Sequence, residues 1–428
     1  MRIAHIITRL ILGGAQENTV LCCEDLIHRH GDDVLLITGP PLGPEGSLLE
    51  RARAGGVPLE ILDAMRRPIH PWRDPVSYWQ IKAALRRFRP DVVHTHSGKA
   101  GLLGRAAAWS LGVPAVIHTV HGAPFHPWQG RGARWFFQAC ERWAARRCHA
   151  MVSVADAMTE LMVSARVAPR EKFTTVYSGM EVEPFLKADE HRQRVRQELG
   201  YRPGDVVVGK VARLFKLKGH ADVIEAARNL IGGRLTTCPT ANEEREISED
   251  GGTRCARPTL QPRSDGRLTT SGTSCPTENV RFLFVGDGVL RESLERQIAA
   301  AGLSDRFQFT GLVPPERIPE LMAAMDIVVH ASLREGLARV LPQALITGRP
   351  AVSYDIDGAR EVVIPDETGI LVPPRDVAGL ATAIGRLASD PALRARMGQE
   401  GRRRFTDVFR HERMTARLRE LYLSILNK

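Results

Sequence analysis

Short runs of aliphatic and β-branched residues recur along this chain, each separated from the next by a helix-length stretch. In the first half "RIAHII", "DVLLIT", "DVVHTH", "PAVIHTV" and "AMVSVA" are spaced by segments such as 15–30 and 98–111. Unbroken apolar runs of this kind suit strands buried on both faces, which means a parallel sheet covered by helices. The pattern then restarts with "VVVGKVAR", "VRFLFVGDG", "FQFTG", "DIVVHAS" and "PAVSYDI". At 428 residues the chain also exceeds what one ordinary core holds. The expectation is two α/β domains, 1–180 and 181–405, followed by a closing helix, 406–428, that packs back toward the N-terminal domain. The stretch "YSGMEVEPF", 177–185, has neither period and contains Gly179 and Pro184, so it reads as the hinge.

One segment breaks the alternation. Residues 232–279 are rich in Thr, Gly, Ser, Pro and charge, with a partial repeat, "GRLTTCPT" and "GRLTTSGTSCPT". A helix-to-strand connection needs about two to six residues, so this is an insertion, and its composition predicts disorder. Its cysteines, Cys238, Cys255 and Cys275, match no zinc spacing. Beyond Asp376 the pattern turns helical, and Met414, Leu418, Leu421 and Ile425 recur at the spacing of one buried helix face.

No run approaches the roughly 18 apolar residues of a membrane span, and "MRIAHIITRL" reads as a first buried strand because no small-residue cleavage site follows it. Seven cysteines without regular spacing fit a reducing cytoplasm, with Cys22 and Cys23 in the core of a helix. The net charge of +10 points to an anionic partner: nucleic acid, membrane surface or phosphorylated substrate. No nucleic-acid-binding motif accompanies it.

Several residues have the chemistry to hold such an anion. Gly13 and Gly14 close the first strand and open a helix, where a tight backbone turn and unpaired amides suit a phosphate, or serve as an ordinary turn. In "VARLFKLKGH", Arg213 ends a strand and Lys218 precedes a helix, a fork and a point charge that together suit a diphosphate, or are two solvated charges beside a surface Lys216. "VGDG" places Gly286, Asp287 and Gly288 where backbone can bracket a nucleobase, with Asp287 also a candidate cap for the next helix. His94, His96, His118 and His121 fall at or near strand ends, where an imidazole can face a cleft. His121, followed by Gly122, has the strongest claim to function, and no third metal ligand follows the H-x-H pair at a telling distance. Asp355 and Asp357 form a D-x-D, a pattern frequent by chance.

Taken in order, the Gly-Gly loop, His121-Gly122, "VARLFKLKG", "VGDG" and "EGLARVLPQALITGRPAVSYDIDGAREVV" resemble the retaining glycosyltransferases of family 4, group 1 glycosyltransferases with the GT-B fold. That resemblance implies two Rossmann-like domains whose parallel sheets face a central cleft, with a nucleotide diphosphate sugar between them. By position, Arg213 and Lys218 would clamp the diphosphate, Gly14 would approach it from the other domain, and amides around Arg339 and Val340 would reach phosphate. Glu335 would meet hydroxyls of the donor sugar and His121 would sit beside it. No metal and no cofactor is implied. The chain departs from the pattern at Gln343, where the family usually carries a second glutamate on the nucleotide ribose, and at Ser178, where it often has asparagine. An amide still accepts from a ribose hydroxyl but without charge, so weaker nucleotide holding is expected.

The segment 128–149, "WQGRGARWFFQACERWAARRCH", is basic and aromatic. As a helix it groups Trp135, Phe136, Ala139, Cys140, Trp143 and Ala144 on one face, suited either to cover the sheet or to lie at an anionic lipid interface. The acceptor is therefore expected to be lipid-linked or a growing polysaccharide, and the protein cytoplasmic, at the inner face of the membrane. Three other readings stay open: a nucleotide-sugar epimerase of the same fold, a weakly active sugar-nucleotide-binding protein, and a nucleic-acid binder that rests on net charge alone.

Overall fold

The computed structural model describes residues 1–43, 46–127, 129–232 and 277–427. Nearly all of the expected insertion, including its three cysteines, lies outside the described residues. The first sheet contains β1 (Arg2–Arg9), β2 (Asp33–Gly39), β3 (Leu59–Ile61), β4 (Val92–His96), β5 (Ala115–Val120), β6 (Ala150–Ser153) and β7 (Phe173–Thr175). They are parallel, in the order β3-β2-β1-β4-β5-β6-β7. The second contains β8 (Val206–Val211), β9 (Val280–Val285), β10 (Phe307–Gly311), β11 (Ile327–His330), β12 (Ala351–Tyr354) and β13 (Gly369–Val372). These too are parallel, in the order β10-β9-β8-β11-β12-β13. The fold is GT-B: two Rossmann-like α/β domains.

The sheets are covered on both faces, as the unbroken apolar runs require. In β1 Ile3, Ala4, Ile6 and Ile7 are all fully buried, pointing alternately to the two helix layers. Each such isoleucine side chain contributes about 1.5–3 kcal/mol. In each sheet the strand order reverses once, between β1 and β4 and between β8 and β11. The crevice at the carboxyl ends of strands flanking such a reversal is where open α/β sheets take ligands.

The final helix, His411–Leu426, lies on the helix Gly14–His28 of the first domain. Met414, Leu418 and Tyr422 are buried with Val20, Cys22 and Leu26, and Leu421 and Ile425 pack at the edge of that cluster. Asp25 accepts from His411 Nδ1 at 2.8 Å and from Thr415 Oγ1 at 2.9 Å, while Arg419 reaches Asp32 at 2.8 Å. The expected hinge meets the start of this helix: Met180 bridges to Arg410, and a Cβ on Gly179 would fall 2.4 Å from the His411 Cα.

The helix Arg131–Ala145 buries Glu141, Ala144 and Ala145 and turns its large aromatics outward, with Trp135 65%, Phe136 48% and Trp143 43% exposed. Phe137, small residues and a buried Arg105–Glu141 ion pair at 2.8 Å, not the face of Trp135, Phe136 and Trp143, dock it.

Candidate functional site

The two reversal points face one another across a cleft. From the second domain, the loop after β8 delivers Arg213 and Lys218. Leu217 and Gly219, on either side of Lys218, both adopt left-handed backbone with φ 67°. Gly219 is needed there, since a Cβ would fall 1.9 Å from the Ala331 carbonyl oxygen. The non-glycine Leu217 holds a conformation that costs of order 1–3 kcal/mol, and its carbonyl accepts from Leu333 N at 2.8 Å. The loop is thereby fastened to the end of β11, and Lys218 reaches Glu335 in a direct ion pair.

Glu335 is held from three sides. Its amide donates to Asp357 Oδ2 at 2.7 Å, and Asp357 itself sits at φ 44°. His330 Nε2 lies 3.7 Å from its carboxylate, and His330 Nδ1 meets Ser353 Oγ at 3.2 Å. Burial would raise the Glu335 carboxyl, but His330 and Lys218 outweigh it and hold the group well below the usual carboxylate range. Beneath them Lys210 on β8 is buried, and burial together with Lys218 brings its ammonium down to about 7.

The first domain answers with backbone, neutral rings and the cations Arg9, Arg67 and Lys99. Gly14 allows the two halves to touch, because a Cβ there would lie 2.7 Å from the Arg339 side chain. Arg339 donates to the Gly14 carbonyl at 3.2 Å and to Glu17 at 2.8 Å, while its Nε and Nη2 are buried without a partner among the described residues. His121 is partly buried, its Nε2 sits 3.0 Å from His96 Nδ1, and its carbonyl oxygen packs on Gly336 of the other domain. Burial and the nearby Arg339 lower its imidazole to about 4.

Of the other histidines anticipated at the cleft, His94, His96 and His118 are fully enclosed instead. Each lies within a strand flanked by covered neighbours. His94 bonds Tyr422 at 2.5 Å and Thr119 at 2.7 Å, and His118 bonds Thr95 at 2.9 Å. A third histidine does stand beside the H-x-H pair: His5 Nδ1 is 3.0 Å from His96 Nε2, brought there by the pairing of β1 with β4. The ligand atoms of His5, His94 and His96 lie within 4.8 Å of one another, a spacing that could hold a metal ion, while the ring nitrogens of His94 and His96 are already engaged by Thr119, Tyr422, His5 and His121.

Three cavities adjoin this arrangement. The central one, about 610 Å3, is lined by Arg9, Gly13, Gly14, Lys99, Arg213, Lys218 and Glu335 among others. A second, about 460 Å3, shares Gly13, Gly14 and Arg213 and adds Arg339, Val340 and Gln343. A third, about 420 Å3, lies on the other side of Glu335 with His126, Arg334 and Asp357. Gly286, Asp287 and Gly288 line none of the three. They support the Arg213 loop from behind: a Cβ on Gly286 would strike the Ala212 carbonyl at 2.3 Å, and Leu214 N donates to the Asp287 carbonyl at 2.9 Å. Nor does Asp287 cap the following helix, which starts after Leu290; its carboxylate turns back to Gly288 N at 2.7 Å.

The D-x-D residues separate, Asp355 pairing with Arg360 and Asp357 with the Glu335 amide. Sequence reasoning missed the supporting role of Asp357 and His330, and also a clamp between the domains. Glu361 accepts from Asp156 N and Ala157 N at 2.9 Å, in the first turn of the helix Asp156–Ser164, and from the Tyr177 hydroxyl at 3.0 Å. Its proximity to the "GRP" strand was the one available signal.

Comparison with known proteins matches both halves of the chain. Residues 13–179 match the model of the glycosyl transferase 4-like domain, and residues 273–404 that of the glycosyl transferases group 1. An Escherichia coli UDP-Gal:alpha-D-GlcNAc-diphosphoundecaprenol alpha-1,3-galactosyltransferase is 25% identical over 100% of this chain and 98% of its own. A 2-deoxystreptamine N-acetyl-D-glucosaminyltransferase of Streptomyces fradiae is 29% identical over 72% of this chain and 65% of its own. Among solved structures, Anabaena HepE in complex with UDP superposes with TM-score 0.74 at 20% identity, covering 99% of this chain and 100% of that one.

Proposed function

We propose that this chain, which joins a match to the glycosyl transferase 4-like domain to a match to the group 1 glycosyl transferases, is a GT-B glycosyltransferase that moves a sugar from a nucleotide diphosphate sugar to a lipid-linked or polysaccharide acceptor with retention of configuration. The observation that carries this reading is the set of cations around one cavity at the facing reversal points, Arg213 and Lys218 on one side and the Gly13–Gly14 turn on the other, with Glu335 between them.

In this reading the diphosphate lies between Arg213, Lys218 and the opening of the helix Gly14–His28, and the unpartnered guanidinium nitrogens of Arg339 complete its shell. Cleavage of the sugar–phosphate bond leaves the bonding electron pair on the diphosphate oxygen. Fixed donors aimed there stabilise the transition state more than the ground state, and basic side chains supply this without a metal. Glu335, kept ionised by Lys218 and His330, binds hydroxyls of the donor sugar. Gln343 faces the nucleoside end from the second cavity. His121, neutral at physiological pH, sits at the sugar, and the acceptor hydroxyl attacks from the face of the departing diphosphate, whose oxygen takes the hydroxyl proton. Closure held by Glu361 excludes water. The protein works in the cytoplasm, with the outward aromatics of the helix Arg131–Ala145 against the inner face of the membrane; among the described residues no helix is long and apolar enough to cross one.

The test is a panel of sugar nucleotides offered to the wild type and to Glu335→Ala, with and without EDTA. The reading expects transfer or slow donor hydrolysis that EDTA leaves within about two-fold, an α product from an α donor by NMR, and loss in the variant. An epimerised free sugar nucleotide, or binding with neither transfer nor hydrolysis, would establish one of the other readings instead.

A further inference from the structure

A separate basic cavity lies in the first domain, beside the cleft. It measures about 430 Å3, and its described lining carries Arg9, Arg66, Arg67, His70 and Arg73 and no carboxylate. The acid next along this segment, Asp74, is engaged by Lys99 at 2.5 Å and by the His70 amide at 3.1 Å. Arg9 and Arg67 also line the central cavity with Lys218 and Glu335, so the two spaces share a wall. Arg66 and Arg73 line only the outer one.

An apolar stripe runs outward from the lip of this cavity. Ile69, Trp72, Val76 and Trp79 are 68, 78, 48 and 59% exposed. Trp72 caps the helix Arg73–Phe88, and Val76 and Trp79 follow it at i+4 and i+7, on one face. This helix packs on Gly98–Ser110, which packs on Arg131–Ala145, so the exposed Trp135, Phe136 and Trp143 belong to the same helix layer. Guanidinium forks favour phosphate oxygens, and exposed tryptophans beside arginines favour the boundary between lipid and water. One ligand chemistry satisfies both features: an apolar chain that ends in a diphosphate.

We propose that the cavity of Arg66, Arg67 and Arg73 holds the diphosphate of a lipid-linked acceptor, with its lipid along the Ile69–Trp79 stripe and its sugar reaching past Arg9 into the central cavity. This rests on the transferase reading and narrows its acceptor to a lipid diphosphate. The diphosphate of the acceptor then occupies a site distinct from that of the donor, one in each domain, and the two sugars meet between them.

Calorimetric titration of the full chain with farnesyl diphosphate, and separately with inorganic pyrophosphate, each with the donor site first saturated by a nucleoside diphosphate, tests this. Arg66→Gln/Arg73→Gln is expected to weaken both at least about ten-fold, with slow donor hydrolysis retained as the check on folding. Trp72→Ser/Trp79→Ser is expected to weaken farnesyl diphosphate and leave pyrophosphate unchanged, which separates lipid recognition from capture of free diphosphate. Wild-type affinity in the arginine variant, with donor hydrolysis intact, would overturn the proposal and leave the transferase reading standing. Equal affinity of the wild type for the two probes would overturn the lipid part. If the probes behave as expected while no sugar nucleotide is hydrolysed or transferred, it is the transferase reading that fails.

Discussion

The two halves present the same topological feature to the cleft, strand ends at a reversal of order, yet they back it differently. The second domain supplies paired charges: Lys218 against Glu335, with Lys210 and His330 behind them. The first supplies glycines backed by a packed group of rings, His5, His94, His96 and His118, all fully buried. Burial lowers every one of these imidazoles, so they stay uncharged at neutral pH. Arg9, Arg67 and Lys99 of the first domain also line the central cavity, but the wall that backs them is neutral and dry, whereas the charges of the second domain are backed by further charged and titratable groups.

The largest expected effect breaks the neutral wall. These histidines bind a proton less readily folded than unfolded, so below pH 6.5 the unfolded chain takes protons that the native one refuses. Stability is therefore lost as pH falls from 6.5 toward the folded values, about 4 for His121 and about 3 for His5. Each imidazole contributes about 1.4 kcal/mol per pH unit in that window, enough for several together to consume a typical stability of about 5–15 kcal/mol. Every tryptophan lies at or before residue 143, so indole fluorescence reports the first domain alone. That signal should show unfolding between pH 6.5 and 4.5; a flat trace across this range would mean the rings are not held neutral.

The second effect removes the charged wall. Lys218→Ala or Glu335→Ala should lower kcat/KM about 100- to 1,000-fold in a transfer or donor-hydrolysis assay, the loss typical of one fixed transition-state donor. The tryptophan-detected acid transition should stay in place, since neither residue touches the ring cluster. Equal activity of either variant would move the site elsewhere.

How far the sequence foretold each wall follows from what its residues contact. Arg213 and Lys218 fall at strand and helix ends, Glu335 in the loop after β11 and Gln343 on the helix Val340–Ile346, all within short local patterns, and the structure brings them to adjoining cavities. The ring cluster depends on β1 pairing with β4, which sets His5 opposite His94 across 89 residue positions, and no local period encodes that register. The short strands β3, β7 and β13 were also unread. Two have three residues and the third four, and all lie at sheet edges, where a single neighbour asks little of the sequence. Asp357 looked like half of a metal motif because its partner, the Glu335 amide, lies 22 residues away. The Arg66–Arg73 cavity went unseen because its loop has no period at all.

A third, smaller effect concerns the clamp that keeps the walls together. Glu361→Ala removes a carboxylate from two amides and a hydroxyl, a loss of about 1.5–3 kcal/mol for charged hydrogen bonds. Tyr177→Phe deletes only one of the three contacts and should cost less. The expected signature is a raised KM for the donor with the acid transition little changed; a change confined to the acid transition would make Glu361 a stabiliser of the first domain alone.

The smallest effect lies at the nucleoside end of the charged wall. Gln343 is partly buried on the helix Val340–Ile346 and lines the cavity that also holds Arg339 and Glu17. Gln343→Glu would give a ribose hydroxyl a charged acceptor in place of a neutral one, a gain of about 1 kcal/mol or less. It would also set a carboxylate in the cavity that Glu17 already lines, and that repulsion opposes the gain, although Glu17 is balanced by Arg339 at 2.8 Å. The net expectation is a donor KM lowered about two- to five-fold with kcat unchanged, because the ribose is held equally in ground and transition states. A change in kcat instead would place Gln343 beside the reacting sugar, and the donor would then lie in the cleft the other way round.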